Sequence, residues 1–176
     1  MDPALQEPSK SVEMHGDVMY IDRKMFLITV NEPMQLTLKT PIKSESANAL
    51  GMALQNQLQV LQERGFAPIK LSVDSAIGFM SLKTQFPGLL IEPGGAKDHV
   101  VKVDAKIRRL KETYHSVKAG LPWNLPKNRV KDLVANAASR LNLRGTSALQ
   151  GVQSPRVLFT GLKPNYKKEF GLAFGG

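Results

Sequence analysis

Between Ser44 and Gly65, Leu50, Leu54, Leu58 and Leu61 recur at spacings of four and three. That is the apolar face of one helix, capped by Ser44 or Ser46 and stopped after Arg64 by Gly65. Strand-type runs lie on both sides of it. Upstream, three strands are expected at Val12–Ile21, Met25–Val30 and Gln35–Thr40, with Asp22-Arg23 and Asn31-Glu32-Pro33 as turns. The continuous apolar run Phe26-Leu27-Ile28-Thr29-Val30 reads as a central strand of this meander. Downstream, Pro68–Val73 is a short strand reached through the helix, and a strand reached by a helical crossover lies parallel to its partner. A mixed sheet follows, and with it the α/β class.

The rest of the chain extends this plan. Ser75 starts a short helix that ends before Phe86-Pro87-Gly88, and Leu89-Leu90-Ile91 is a fifth, very short strand. Glu92 to Lys97 reads as a turn, with Pro93, Gly94 and Gly95 as a flexible loop. Helices follow at about Asp98–Lys118 and Lys127–Leu143, the second with Val130, Leu133, Val134, Ala137 and Leu141 on one face. A Gly/Ser-rich stretch from Gly145 to Ser154 precedes a turn of helix begun by Pro155. The order β-β-β-α-β-α-β-α-α, with acids on the first strand and at the end of the fourth, is the ribonuclease H-like arrangement: a five-stranded mixed sheet flanked by helices. Residues 1–10 are expected to be a flexible leader, 11–145 the core, and 146–176 a C-terminal extension of the core, cut short.

With 176 residues and 42% hydrophobic content the chain suits a single globular unit. It has no cysteine, which excludes disulfides and thiolate zinc sites, and His15, His99 and His115 show no ligand spacing. No apolar run approaches the roughly 20 residues that span a bilayer, and no signal peptide precedes the first strand, so an intracellular protein without membrane contact is expected. The net charge of +9 is uneven. Residues 1–96 hold 8 Lys+Arg and 10 Asp+Glu, against 16 and 5 in residues 97–176. The basic part suits a polyanion such as nucleic acid, and equally a solvated face that keeps the protein soluble.

Three acids stand out beside apolar runs: Asp17, Asp74 at the end of Leu71-Ser72-Val73, and Asp104 in a helix rich in Lys and Arg. Acids that converge from distant parts of a chain hold divalent metal, and two such ions stabilise both the attacking and the leaving oxygen of a phosphoryl transfer. At about 100° per residue, Val103, Ile107, Leu110 and Tyr114 form the buried stripe of the third-acid helix. Asp104, Arg108 and Lys111 share one flank of it, and Glu112 points away. Asp104 is therefore the metal-binding choice over Glu112, with Arg108 and Lys111 placed to follow phosphates. The alternative is an ordinary i,i+4 pair of Asp104 with Arg108 on a solvated face.

Several stretches together resemble the integrase core of Copia-like (Pseudoviridae) retrotransposons, within the retroviral integrase superfamily. His15-Gly16-Asp17-Val18-Met19-Tyr20 through Val30 is similar to the family's first strand pair, and Leu71-Ser72-Val73-Asp74-Ser75 to the strand that bears its second acid. Val103-Asp104-Ala105-Lys106-Ile107-Arg108-Arg109-Leu110-Lys111-Glu112 resembles the third-acid helix. Ser154-Pro155-Arg156 to Pro164, with Phe170-Gly171 and Phe174-Gly175, is similar to the signature that follows the core. The resemblance implies Asp17, Asp74 and Asp104 as catalytic and metal-binding acids, Mg²⁺ or Mn²⁺ as cofactor with no small-molecule cofactor, and DNA as partner. It also implies Arg108, Lys111 and His115 at the DNA, a homodimer or higher oligomer, and a place in the nucleus or in a virus-like particle. The chemistry implied is 3′-processing and strand transfer. Trp123 serves as an interface anchor or, alternatively, plugs the core.

The chain departs from the family in two ways. Asp104 stands where the family has glutamate, and only 29 residues separate it from Asp74, a short interval for the family. A carboxylate withdrawn by one methylene leaves two alternatives open: a catalytically degenerate nucleic-acid-binding or oligomerisation module, and a ribonuclease H-like nuclease with another substrate.

Overall fold

Asp22 and Arg23 take positive φ, 44° and 63°, the geometry of the tightest antiparallel hairpins. Across this turn Ile21 pairs with Lys24, joining β1 (Ser11–Ile21) to β2 (Lys24–Glu32). β3 (Leu36–Ile42) adds antiparallel to β2, and α1 (Ala47–Glu63) crosses over to β4 (Ala67–Val73). β4 lies parallel to β1, and β5 (Leu90–Pro93) lies parallel to β4. The five strands form one mixed sheet in the order β3-β2-β1-β4-β5. The computed structural model describes residues 10–73, 77–94, 99–144 and 153–162.

The alternation of side chains along β1 builds two cores. Val12, Met14 and Val18 point to one face, where they pack with Leu50, Leu54, Leu58 and Leu61 of α1. Met19 and Ile21 point to the other, with Phe26 and Ile28 of β2. Leu110 and Tyr114 of α3 (His99–Ala119) and Leu133, Val134 and Ala137 of α4 (Val130–Leu143) cover that second face. The result is a sheet between two helical layers. Between β4 and β5 lie α2 (Ile77–Met80) and a 3₁₀ turn, Ser81–Thr84. α5 (Pro155–Thr160) rests on the first core through Leu158 and Phe159, the latter stacked on Phe66 with ring centroids 5.9 Å apart.

One polar network crosses the apolar layer under α1. Buried Thr29 donates to Gln57 Oε1 at 2.6 Å, and Gln57 Nε2 donates to the Leu27 carbonyl and to Thr40 Oγ1, both at 3.1 Å. Because a buried amide must be satisfied, these bonds fix the rotation of α1 over β2 and β3.

β3 is an edge strand, and one side chain closes part of its edge. Asn142 of α4 accepts from the Thr37 N–H at 2.8 Å and donates to the Thr37 carbonyl at 2.8 Å, as a neighbouring strand would. Asn142→Ala strands both peptide groups of a residue that is only 2% exposed. It is expected to cost about 2 kcal/mol, seen as a lower denaturant midpoint with an unchanged slope.

Several boundaries differ from the sequence expectation. Ser46, rather than Ser44, caps α1 by accepting from the Ala49 N–H at 3.2 Å. β2 runs on to Glu32 because Asn31 and Glu32 pair with Met14 and Glu13 of the long first strand. Ladder pairing also carries β5 through Glu92 and Pro93, opposite Ser72 and Val73, where a turn was expected. Lys127–Arg129 is a 3₁₀ turn ahead of α4. Trp123 does not plug the core: it is 41% exposed, and Leu125 is the residue of that connection that packs on the second core.

Candidate metal centre

Asp17 lies on β1 opposite Ile28, on the sheet face covered by α3 and α4. It is half-buried, and its Oδ1 accepts the N–H of Val18 at 2.7 Å. Its charge is felt nearby. The phenol of Tyr20 is raised above its ordinary value, first by its hydrogen bond to Glu45, then by desolvation and the negative charges of Glu45 and Asp17. Gly16, just before Asp17, pairs with Val73, the last residue of β4. Side chains from both neighbouring strands crowd the glycine: a Cβ on Gly16 would meet Leu71 Cδ1 of β4 at 3.3 Å and Thr29 Cγ2 of β2 at 3.4 Å.

Asp74, the second expected acid, lies outside the described residues. Of the expected loop residues, Pro93 closes β5, Gly94 donates its N–H to the Val73 carbonyl at 2.7 Å, and Gly95 lies outside the described residues. The β4 end is therefore tied to β5 by a bond continuing the parallel ladder.

Along α3 the expected stripe is present: Val103, Leu110 and Tyr114 are buried and Ile107 is partly buried against the second core. Asp104 and Arg108 are exposed and Lys111 is half-buried, while Glu112 faces water as the helical geometry requires. His115 is exposed and sets its ring edge to face against Tyr114, with centroids 5.3 Å apart. Lys106 lies on the opposite flank, where burial, with the charge of Arg109 adding, lowers its pKa from the ordinary lysine value. Both flanks of α3 carry basic side chains.

The far end of α3 is anchored on the β1–β2 turn. Tyr114 Oη and Lys118 Nζ each donate to Asp22 Oδ2 at 2.6 Å. The Lys118 bond, then the Tyr114 bond, hold the Asp22 carboxyl below its usual range. Burial first, then the bond to Asp22, raises the Tyr114 phenol above its own. A depressed carboxyl stabilises the fold above the unfolded pKa of about 3.9, and that contribution is lost as pH falls through the folded value. Asp22→Asn keeps a residue that tolerates positive φ. It is therefore expected to lower the thermal midpoint at pH 7 and to match the parent protein in strong acid. The effect is under about 1 kcal/mol because the ion pair is partly exposed.

Among the described residues, which leave out Asp74, the group of three potential metal ligands is Glu13, His15 and Glu32, with donor atoms within 4.8 Å of one another. It shares no residue with the three aspartates. His15 belongs to it beside two glutamates that the sequence had not singled out. The signal was present in the sequence: with the turn at Asp22-Arg23, residue 13 must face residue 32, and His15 falls on the same side two residues on.

No family model matches the chain. No curated protein matches it either. Among solved structures it is similar to the catalytic core domain of BIV integrase, with a TM-score of 0.65 at 15% sequence identity, over 85% of this chain and 93% of that one. The five-stranded mixed sheet between helical layers is thus the ribonuclease H-like fold of an integrase catalytic core.

Proposed function

We propose that this chain is the catalytic core of a metal-dependent polynucleotidyl transferase of the integrase type, from a Copia-like retrotransposon, in which Asp17, Asp74 and Asp104 hold Mg²⁺ or Mn²⁺. One observation carries the reading: β1 and β4 are parallel neighbours, Gly16 pairs with Val73, and the next residues of the chain are Asp17 and Asp74. Ligands of open α/β sheets gather at the carboxyl end of a strand, where Asp74 follows β4, and Asp17 lies on the neighbouring β1. The half-buried carboxylate of Asp17 suits a hard divalent cation, which takes oxygen donors. Such an ion supplies positive charge to the attacking and leaving oxygens of a phosphodiester.

Helix geometry supports Asp104 as the third acid. Tyr114 meets Asp22 at one end of β1. The ten residues from Asp104 to Tyr114 span about 15 Å of helix, and the five from Asp17 to Asp22 about 17 Å of strand. A helix that runs back along β1 from its anchor brings the two acids level. Arg108 and Lys111, on the same flank as Asp104, then offer charge to DNA phosphates, and His115 a hydrogen-bond donor. The core would act on DNA as a homodimer or higher oligomer, in a nucleus or a virus-like particle. No described helix is long and apolar enough to cross a membrane.

A second reading is favoured by the shortened third acid. A misplacement of about 1 Å can cost on the order of 10²-fold in rate, and a protein so weakened would survive as a DNA-binding or oligomerisation module. The test is incubation with labelled duplex DNA and Mn²⁺ or Mg²⁺. Joined products are expected. Cleavage without joining would make the protein a nuclease, and neither product from a folded protein that still binds DNA would favour the module.

A further inference from the structure

The geometry points to a second divalent-cation site, formed by Glu13, His15 and Glu32 on the β1–β2 hairpin, with preference for Zn²⁺ over Mg²⁺. Glu13 sits directly opposite Glu32 across the strand pair. Like charges in that position destabilise a sheet, and here they flank an imidazole that is only 1% exposed. His15 Nε2 lies 3.3 Å from Glu32 Oε2. Two ligands of a tetrahedral zinc ion, each bonded at about 2.0–2.1 Å, are themselves about 3.4 Å apart. The pair already stands at the separation of two ligands, and Glu13 offers a third donor atom within 4.8 Å of both.

The surroundings orient the donors. Gln35 donates to Glu32 Oε1 at 3.1 Å, which leaves Oε2 turned toward the ring. Bonds of this kind from an outer residue are what fix a metal-binding carboxylate. One imidazole and two carboxylates form a mixed set that a borderline ion such as Zn²⁺ fills better than Mg²⁺, which keeps to oxygen and to water. Three protein ligands, two of them half-buried carboxylates, leave a fourth position on the solvent side. The cation would tie β1 to β2 one strand step before Asp17. That is a structural role, independent of whether the aspartates act on DNA.

The test is calorimetric titration of Zn²⁺ into the full chain carrying Asp17→Asn, in excess Mg²⁺, which separates this site from the aspartates. One equivalent bound at micromolar affinity or tighter, weakened at least 100-fold by Glu32→Gln and about tenfold by Glu13→Gln, is the expected result. Zn²⁺ should also raise the thermal midpoint of the Asp17→Asn protein and not that of the protein also carrying Glu32→Gln. Glu32→Gln is isosteric at a half-exposed position, so it preserves the fold where a change at buried His15 need not. Binding only at millimolar Zn²⁺, or micromolar binding that survives Glu32→Gln, would overturn the site.

Discussion

Replacing Asp17 by asparagine is expected to lower metal-dependent strand cleavage by about 10³-fold or more, the scale on which loss of preorganised charge stabilisation acts. Asn keeps the size and the acceptor oxygen that takes the Val18 N–H, so the local backbone bond survives. What it removes is one negative charge next to Gly16, the residue of β1 that pairs with Val73. If the aspartates converge, the thermal midpoint should hold or rise slightly, because fewer acids then repel one another in the metal-free protein. DNA affinity should change little, since the basic flanks of α3 are untouched. Cleavage that persists in the Asp17→Asn protein would remove this residue from the chemistry. A large fall in the midpoint would show instead that Asp17 is a structural acid of β1.

The second large effect runs in the opposite direction. Asp104→Glu lengthens the third acid by one methylene, a reach of about 1.5 Å. If Asp104 approaches the site of Asp17 from α3, the substitution should raise cleavage or joining by on the order of 10²-fold. Position 104 is exposed on the helix flank, so the longer side chain meets no packed neighbour. Glu is also the better helix former. A protein made slower by Asp104→Glu would mean that the aspartate already fits its position. No change, with activity otherwise present, would leave Asp104 outside the site.

The fold was legible because its signals are local and regular. The leucine repeat defined α1, the Asp22-Arg23 turn defined the first hairpin, and the Val103, Ile107, Leu110, Tyr114 stripe told which side of α3 is buried. What was misread depends on partners distant in sequence. Asn31 and Glu32 look like turn residues, yet the length of β1 gives them pairing partners. Glu92 and Pro93 look like a loop until β4 supplies a ladder. Trp123 has the volume of a core residue, but Leu125 takes the space on the second core. In the candidate site, Asp17 was singled out as an acid beside an apolar run, and Asp104 was preferred to Glu112 by helix periodicity. The Glu13, His15 and Glu32 group was missed because its donors meet only once the hairpin register is applied to the sequence.

The convergence of Asp17, Asp74 and Asp104 on one metal site is the claim on which the functional reading stands. Backbone amide NMR during a substoichiometric Mn²⁺ titration tests it most directly, because the ion broadens signals by proximity alone. Val18, Ser75 and Ala105 are expected to broaden together, and the effect to disappear in the Asp17→Asn protein. Broadening confined to the neighbours of Glu13, His15 and Glu32, with Ala105 unaffected, would contradict it.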